Sequence, residues 1–306
     1  MNLYHVIEAQ QFDTETLGRL FDTSAQMEDL VKRGGSDRYA NRIMSTLFYE
    51  PSTRTRFSFE TAMHRLGGRV ISTESAREFS SVSKGETLED TIRILSGYAD
   101  VIVIRHFEVG AAKRAATVAT VPVINAGDGV GQHPTQALLD LYTIRKEIGR
   151  LDGLKIALVG DLAQGRTVRS LAYLLSKYRG IEMFFVAPPL LKMKEDILEH
   201  LRERHVSYVE EATLAKVLPV VDVVYQTRIQ KERFGDRVAD YEKCRGIYVI
   251  DAASLGLLRT DAIVMHPLPR LDEVSPEVDS DPRAAYFRQA QNGLFVRMAL
   301  LTMVLG

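Results

Sequence analysis

Short apolar, often β-branched runs alternate along most of the chain with stretches of helical periodicity, which is typical of parallel sheets whose strands are buried on both faces. In the first half the runs cover residues 43–48, 70–72, 101–104 and 121–124. In the second half they cover residues 155–159, 183–186, 206–209, 221–225, 248–250 and 263–265. The pattern predicts an α/β fold with two domains, each a parallel sheet flanked by helices.

Two helices are well marked between these runs. After Ser52, apolar residues recur with i, i+3, i+4, i+7 spacing up to Leu66, and Gly67 and Gly68 end the pattern. Residues 134–147 form a second apolar stripe, which begins with a proline and leads into a polar link at residues 149–153. The segment from about residue 284 is helical in pattern and long enough to return to the first domain.

These boundaries give a complete domain prediction. The first domain comprises residues 1–134 together with a C-terminal helix at 284–306, and residues 135–149 form an interdomain helix. The second domain comprises residues 150–283.

Composition excludes several classes of partner. The 306 residues carry 39 Lys and Arg against 40 Asp and Glu, so no overall field attracts the chain to nucleic acid or to an anionic membrane. Any anion must therefore be bound by a local cluster of cations. The single cysteine, Cys244, excludes an internal disulfide framework and a cysteine-built metal centre, and it fits a reducing compartment. We expect a cytoplasmic protein with no metal.

Polar residues cluster just after the predicted strands, at the edge where open parallel sheets bind ligands. Ser52, Thr53, Arg54, Thr55 and Arg56 follow the first strand and open a helix. Hydroxyl groups, guanidinium groups and the N–H groups of a helix start together indicate a phosphate site. A simple helix cap is the alternative, but two arginines in the first turn oppose the helix dipole and disfavour it.

Further donors follow two other strands of the first half. Arg105 and His106 come directly after residues 101–104, and a glycine-rich turn leads to His133 and Gln136 at the start of the next helix. Taken singly, His133 could equally be a surface or capping histidine. Its neighbours favour contact with a ligand.

The second half repeats this placement of cations. Residues 160–167 lie between a strand and a helix, but their glycine spacing does not match the dinucleotide fingerprint, so Arg166 is the notable residue there. Arg228 and Gln230 follow another strand, with a solvated charged face as the alternative for Arg228 and Lys231. Residues 266–269, His-Pro-Leu-Pro, follow the last strand and could simply form a rigid bend.

The motifs together resemble a known family. Residues 49–56, Tyr-Glu-Pro-Ser-Thr-Arg-Thr-Arg, resemble the carbamoyl-phosphate signature of transcarbamylases, and the later clusters are similar to those of aspartate carbamoyltransferase catalytic chains. These later motifs occur in the family's order over nearly the whole chain, at residues 80–86, 104–106, 133–136, 165–167, 228–232 and 266–270. Ornithine carbamoyltransferases typically carry a cysteine where Pro267 stands here.

The resemblance implies transfer of a carbamoyl group from carbamoyl phosphate to L-aspartate, an early step of pyrimidine synthesis that needs no cofactor. It implies that carbamoyl phosphate is held by Ser52, Thr53, Arg54, Thr55, Arg105, His133, Gln136, Pro267 and Leu268. It assigns aspartate to Lys84, Arg166, Thr167, Arg228 and Gln230, and catalysis to Arg54, Thr55, Lys84, Arg105 and His133. The loop bearing Ser80 and Lys84 would reach a neighbouring subunit's site, which implies a homotrimer with shared sites and leaves room for separate regulatory chains.

Three alternatives remain at this point. A transcarbamylase for another amine, such as ornithine, would need a carboxylate or thiol for a cationic side chain. A catalytically silent homologue would keep the anion pocket without turnover. A nucleotide-dependent enzyme would rest on the glycines of residues 160–165.

Overall fold

The computed structural model describes residues 3–76 and 85–306, and the chain divides into two compact units. The first unit comprises Met1–Leu139 and Gln291–Gly306, and the second comprises Asp140–Ala290. Each unit contains a parallel sheet with helices around it, so the predicted fold class is confirmed.

The sheet of the first unit has four strands in the order β2-β1-β3-β4. The strands are β1 (Ile43–Phe48), β2 (Arg69–Glu74), β3 (Val101–His106) and β4 (Val123–Asp128). The helices in the described part of this unit are α1 (Thr14–Lys32), α2 (Thr53–Arg65), α3 (Leu88–Ser96), α4 (Ala111–Val118) and the beginning of α5 (Pro134–Ile148), with a short 3₁₀ turn at Ala9–Gln11.

Strand β2 differs from its prediction as a buried strand. Strands β1, β3 and β4 are almost wholly buried, whereas no residue of β2 is buried, and Ile71 shows 40% of its surface. Strand β2 is an edge strand that pairs with β1, whereas the other edge strand, β4, is covered by the N-terminal segment, where Val6 forms a bridge with Ile124. Its β-branched residues therefore indicate strand formation correctly but not burial.

The C-terminal helix, α11 (Tyr286–Leu305), ends in the first unit, as predicted. Buried Arg297 donates through Nη1 to the Ser58 hydroxyl of α2 over 3.0 Å. Its guanidinium also lies 5.1 Å from the ring centre of Phe59. These contacts fix the end of the chain against the helix that follows β1.

The sheet of the second unit has five strands in the order β7-β6-β5-β8-β9. The strands are β5 (Lys155–Val159), β6 (Glu182–Val186), β7 (Ser207–Glu211), β8 (Val223–Gln226) and β9 (Ile263–Met265). The helices of this unit after α5 are α6 (Arg166–Leu175), α7 (Glu195–Glu203), α8 (Leu214–Val217), α9 (Val238–Cys244) and α10 (Ala252–Leu257), and 3₁₀ turns lie at Pro189–Leu191, Leu218–Val220, Lys231–Arg233 and Pro276–Ser280.

The strand predicted at residues 248–250 is wrong. Only Ile250 makes a bridge, to Val274, and the segment joins no sheet. Tyr248 and Ile250 nevertheless lie in the core beside β5 and β8, where the Tyr248 hydroxyl donates to the Ala212 carbonyl oxygen over 3.0 Å. Burial alone therefore accounts for the apolar character that suggested a strand.

Both sheets contain a point where the order of strands reverses direction. In the first unit β2 lies on one side of β1 and β3 on the other, and in the second unit β6 and β8 lie on opposite sides of β5. In open parallel sheets, the crevice beyond the carboxyl ends of the strands at such a reversal is the usual ligand site. Ligand sites are therefore expected at the ends of β1 and β3, and at the ends of β5 and β8.

At the second reversal, Gly160 lets two strand ends approach closely. Its φ is +111°, and a Cβ atom at this position would lie 2.5 Å from the Thr227 carbonyl oxygen. The Thr227 N–H and hydroxyl both donate to the Val159 carbonyl oxygen, over 2.9 and 2.8 Å. Any larger residue would have to push β8 away from β5.

We expect Gly160→Ala to lower the thermal unfolding midpoint, because backbone strain and a clash with backbone atoms cost about 1–3 kcal/mol or more. The matched control is Gly256→Ala in α10, where a Cβ would meet nothing within 4 Å and φ is not positive. There the added methyl group should stabilise by about 0.4–1 kcal/mol. Midpoints that shift in the same direction for both variants would contradict this account of Gly160.

Candidate active site

The start of α2 lies at the reversal of the first sheet and is not closed by a conventional cap. Ser52 occupies the N-cap position, but its side chain makes no capping hydrogen bond. Its N–H donates to Glu74 Oε1 over 3.3 Å, and its carbonyl oxygen accepts the first helical bond, from Arg56 N over 3.0 Å. The capping alternative is therefore not supported, and the first N–H groups of the helix remain suited to an anion.

The two arginines of this motif have different roles. Arg56 faces acidic residues, with Nη2 3.2 Å from Glu74 Oε2 and Nη1 3.7 Å from Glu60 Oε1, and Nη1 also donates to the Ser72 hydroxyl over 3.3 Å. Arg54 is exposed, whereas Thr55 is buried. Arg56 thus joins α2 to β2 and does not meet the expectation that both guanidinium groups crowd the anion site, while the role of Arg54 stays a prediction.

Arg105, at the end of β3, lies beside the end of β1. Its carbonyl oxygen accepts from Tyr49 N over 2.8 Å, and its Nη1 donates to the Ala126 carbonyl oxygen on β4 over 3.2 Å. Its Nη2 is 3.5 Å from Glu50 Oε2. In the described part of the chain, its buried Nε has no hydrogen-bond acceptor. A buried guanidinium N–H without an acceptor is costly, and a bound anion would satisfy it.

The surroundings of Arg105 disfavour its positive charge. Burial lowers the pKa of Arg105, the carboxylate of Glu50 raises it and the nearby cation Arg54 lowers it. An arginine nevertheless keeps its charge near neutral pH. Two guanidinium groups that repel each other at a helix start would gain stability from a ligand carrying negative charge.

His133 and Gln136 lie at the start of α5, after β4. The His133 side chain is buried. The backbone carbonyl oxygen of His133 accepts from Gln136 N over 3.1 Å and from Ala137 N over 3.2 Å. The preceding turn is fixed by buried Asp128, whose carboxylate accepts from Gly110 N over 2.9 Å and Gln132 N over 2.7 Å. Burial disfavours the view of His133 as a surface histidine.

In the second unit, Arg166 and Thr167 begin α6 after the turn that follows β5. A Cβ at Gly165 would lie 2.3 Å from the Asp161 carbonyl oxygen. The buried Asp161 carboxylate accepts from Gln164 N and from Arg233 Nη1, each over 2.9 Å. The chain's own atoms thus fill the turn, and the glycines serve close packing. The structure gives the nucleotide-binding alternative no support.

Arg228 and Lys231 follow β8 but differ in environment. The Arg228 side chain is 22% exposed and its Nη2 lies 3.6 Å from Glu232 Oε1, whereas Lys231 is exposed. Gln230 is half-buried. The solvated-face alternative therefore suits Lys231 but not Arg228.

The turn after β9 is rigid. His266 accepts from Leu268 N through Nδ1 over 2.8 Å, so its Nε2 carries the proton that is donated to Glu273 Oε1, also over 2.8 Å. Burial lowers the pKa of His266 while Glu273 raises it, and Leu268 adopts a positive φ of 53°. Pro267 and Leu268 thus lie in a fixed bend, as the structural alternative predicted. Their contact with a ligand stays a prediction.

Four residues that the sequence did not single out as a group connect these elements. Buried Tyr225, the third residue of β8, donates to Asp140 Oδ2 of α5 over 2.6 Å. Gln289 of α11 donates through Nε2 to Asp140 Oδ1 over 2.7 Å and accepts from His266 N over 2.9 Å. The only sequence signal was a carboxylate within the apolar stretch of residues 134–147.

Two predicted residues, Ser80 and Lys84, lie outside the described residues. Across residues 3–76 and 85–306, no group of three or more His, Cys, Asp or Glu residues is placed to hold a metal ion. In the same ranges no helix is both long enough and apolar enough to cross a bilayer.

Comparison with known proteins agrees with this arrangement. Residues 4–146 match the family model of the aspartate/ornithine carbamoyltransferase carbamoyl-phosphate-binding domain, and residues 152–304 match its aspartate/ornithine-binding domain. The chain belongs to the aspartate/ornithine carbamoyltransferase family.

Individual relatives cover the whole chain. The chloroplastic aspartate carbamoyltransferase of Oryza sativa subsp. japonica is 61% identical over 100% of this chain and 86% of its own length. The chloroplastic enzyme of Arabidopsis thaliana is 60% identical over 99% of this chain and 78% of its own. The structure of Trypanosoma cruzi aspartate transcarbamoylase in complex with carbamoyl phosphate and aspartate is 45% identical, with a TM-score of 0.94 over 99% of this chain and 97% of that one.

These relatives correct the predicted cytoplasmic location, which is wrong. The rice and Arabidopsis proteins are named chloroplastic, which points to the chloroplast rather than the cytoplasm. The prediction rested on the single cysteine, and cysteine content separates reducing from oxidising compartments without separating one reducing compartment from another.

The different environments of Arg54 and Arg56 generate a prediction. We expect Arg54→Met to weaken binding of inorganic phosphate by about tenfold or more, because a charge-assisted hydrogen bond contributes about 1.5–3 kcal/mol. Arg56→Met should change this affinity by less than about threefold and instead lower the unfolding midpoint, since it uncouples α2 from β2. Calorimetric titration and thermal unfolding measure the two effects, and equal losses of phosphate affinity would contradict the assignment.

Proposed function

We propose that the chain transfers the carbamoyl group of carbamoyl phosphate to the amino group of L-aspartate, giving N-carbamoyl-L-aspartate and phosphate. The single observation that carries the proposal is the position of Arg105, whose side chain is only 13% exposed and lies close enough to Arg54 for the two cations to repel each other, so that a bound anion would stabilise both. The family membership of both halves and the ligands of the Trypanosoma cruzi relative support the choice of substrates.

The start of α2 is proposed to hold the phosphate. Ser52, Thr53 and Thr55 offer hydroxyl groups beside the N–H groups of the first turn, and Arg54 offers a guanidinium. A helix terminus contributes only about 0.3–1 kcal/mol toward an anion, so Arg54 supplies much of the affinity. Its planar fork can bind two phosphate oxygens at once.

The carbamoyl end is assigned to Arg105, His133 and Gln136, together with the backbone of Pro267 and Leu268. Arg105 is held between Glu50 and the Ala126 carbonyl oxygen, so its orientation is set before a ligand arrives. Such preorganised donors are worth about 2.7–4 kcal/mol each where charge develops on an oxygen.

Aspartate is assigned to Arg166, Thr167, Arg228 and Gln230, with Lys84 as a further contact. The chain as a whole has a net charge of −1, yet both substrates are anions, so local cations must offset substrate charge. Arg166 and Arg228 follow the two strands at the reversal of the second sheet, where a small dianion can meet both.

The proposed step is attack of the neutral aspartate amine on the carbamoyl carbon. The new C–N bond gives a tetrahedral intermediate, whose oxyanion is stabilised by Thr55, Arg105 and His133. The C–O bond to phosphate then breaks, and the departing phosphate, retained by Arg54, accepts the amine proton. Alignment of the two reactants contributes up to about 7–11 kcal/mol of barrier reduction. A carboxylate shown by mutation to be needed only for proton transfer would overturn the last part of this step.

The acidic residues of the second unit favour aspartate over ornithine as the acceptor. A cationic ornithine side chain would need a carboxylate near Arg166 or Arg228. The carboxylates in question are already engaged: Glu232 Oε1 lies 3.6 Å from Arg228 Nη2, Asp161 accepts from Gln164 N and Arg233, and Glu273 accepts from His266. Pro267 stands where ornithine enzymes of the family typically carry a cysteine.

We expect the purified protein to form N-carbamoylaspartate from carbamoyl phosphate and aspartate, and no citrulline from carbamoyl phosphate and ornithine. Parallel assays of both products and of released phosphate test this. Turnover of ornithine alone would overturn the substrate assignment, and phosphonate bisubstrate binding without any turnover would indicate the silent homologue.

Two single variants separate the proposed role of Arg105 in carbamoyl transfer from that of Arg228 in aspartate binding. Arg105→Ala should lower kcat by about 10²–10³-fold or more with the fold intact by circular dichroism, because an oxyanion donor is lost. Arg228→Ala should chiefly raise the KM for aspartate, by about 10–100-fold. Arg202→Ala, an exposed arginine paired with Glu195, is the control and should match wild type. Equal weakening of both substrates by Arg228→Ala would contradict the division of roles.

For assembly, we propose a homotrimer in which the loop bearing Ser80 and Lys84 completes a neighbouring site. The support is the likeness of residues 80–86 to the loop that has this role in the family. Light scattering on the preparation used for the assays should give about three times the 34.3 kDa chain mass. A monomer with full activity would overturn the shared site.

A further inference from the structure

One buried carboxylate of the second unit accepts hydrogen bonds from two directions. Asp140 is fully buried on α5. Its Oδ2 accepts from the Tyr225 hydroxyl over 2.6 Å and its Oδ1 accepts from Gln289 Nε2 over 2.7 Å. A buried carboxylate held by two good donors is oriented firmly, because loss of either donor would leave charge unsatisfied.

The first branch leads from this carboxylate to the aspartate side of the proposed site. The Thr167 side chain lies near enough to the Tyr225 hydroxyl to lower the pKa of Tyr225, against the larger effects of burial and Asp140. Those larger effects raise the pKa of Tyr225 well above its usual value, so the phenol stays protonated and donates to Asp140. Thr167, the second residue of α6, thus lies beside the hydroxyl group that joins β8 to Asp140 of α5.

The second branch leads to the turn after β9. The Gln289 side-chain oxygen accepts from His266 N over 2.9 Å, and its amide nitrogen donates to Asp140. The His266 ring then accepts from Leu268 N and donates to Glu273. Asp140 therefore sets the place of the turn that holds Pro267 and Leu268.

We propose that Tyr225, Asp140 and Gln289 are positioning residues, with Asp140 as a common anchor that orients Thr167 through one branch and the Pro267–Leu268 backbone through the other. This inference rests on the proposed function, because Thr167 is assigned to aspartate and the Pro267–Leu268 backbone to the carbamoyl group. None of these three positioning residues has to contact either substrate.

The branches can be cut separately. Tyr225→Phe removes one hydroxyl and keeps the ring, so it should raise the KM for aspartate about 5- to 10-fold, the equivalent of one hydrogen bond, and change carbamoyl phosphate affinity less than about twofold. Gln289→Met removes the other branch, so it should weaken the binding of carbamoyl phosphate by about 10-fold or more and raise the KM for aspartate by a smaller factor. Steady-state kinetics and titration with carbamoyl phosphate alone measure both.

Tyr248→Phe is the matched control. Tyr248 is also a buried tyrosine of the second unit, and its hydroxyl donates to the Ala212 carbonyl oxygen over 3.0 Å, outside the two branches. If Tyr225 has a purely structural role, both tyrosine variants should lower the unfolding midpoint. Neither variant should then weaken the binding of one substrate more than that of the other. That outcome would overturn the proposal.

A polarity swap gives a second test. Asp140→Asn places an amide N–H opposite the Gln289 Nε2 donor, and Gln289→Glu places a second carboxylate against Asp140. Each single change therefore leaves two donors or two acceptors facing each other. When Asp140→Asn and Gln289→Glu are combined, the new amide oxygen at position 140 accepts from Tyr225 and the new amide nitrogen donates to the carboxylate introduced at position 289. That carboxylate in turn accepts from His266 N. We expect each single variant to lose at least about 10-fold in kcat/KM for aspartate and the double variant to recover most of it.

The outcomes separate this proposal from the one on which it rests. If the wild-type protein forms no N-carbamoylaspartate, the proposed function fails. If the wild type is active but Tyr225→Phe and Gln289→Met affect the two substrates alike, or the polarity swap recovers no activity, only the anchor role of Asp140 fails.

Discussion

The reversal of strand order in each parallel sheet is the constraint on which the rest of the structure depends. Right-handed crossovers place helices on opposite faces of the sheet on the two sides of the reversal, and this leaves the strand ends uncovered at that point. In the first unit this exposes the ends of β1 and β3, with Ser52 and Arg105, and in the second those of β5 and β8, with Arg166 and Arg228. Topology therefore decides where cations can meet a small anion.

Charge is concentrated at these places although the chain is nearly neutral overall. The Arg105 side chain is 13% exposed, its Nη2 lies 3.5 Å from Glu50 Oε2, and the nearby cation Arg54 lowers its pKa. Other arginines are neutralised by carboxylates, as Arg56 is by Glu74 and Arg233 by Asp161. The acidic partners that the fold brings to Arg56 and Arg233 therefore mark these two arginines as structural.

This distinction also explains what the sequence could and could not predict. Strand positions such as β1, β5 and β9 follow directly from apolar runs, and the placement of Arg105 and Arg228 follows from strand ends. The two arginines at 54 and 56 look equivalent in the sequence, because the acidic partners of Arg56 come partly from β2, whose pairing with β1 a single sequence does not reveal.

The errors have similar causes. Residues 248–250 were apolar because they are buried, and burial without sheet pairing has the same composition as a strand. Asp140 and Gln289 are separated by 149 positions, so their hydrogen bond leaves no local pattern. The family resemblance added the substrates, which neither periodicity nor charge could have identified.

The direction of the hydrogen bonds around Asp140 has a consequence for proton movement. Donors from both branches converge on one acceptor, and the Gln289 branch passes through an amide and a backbone N–H, groups that do not exchange protons readily during a reaction. Such an arrangement holds its groups in place and does not conduct protons. This network therefore gives the proton released during carbamoyl transfer no exit, which is consistent with its departure on the phosphate product.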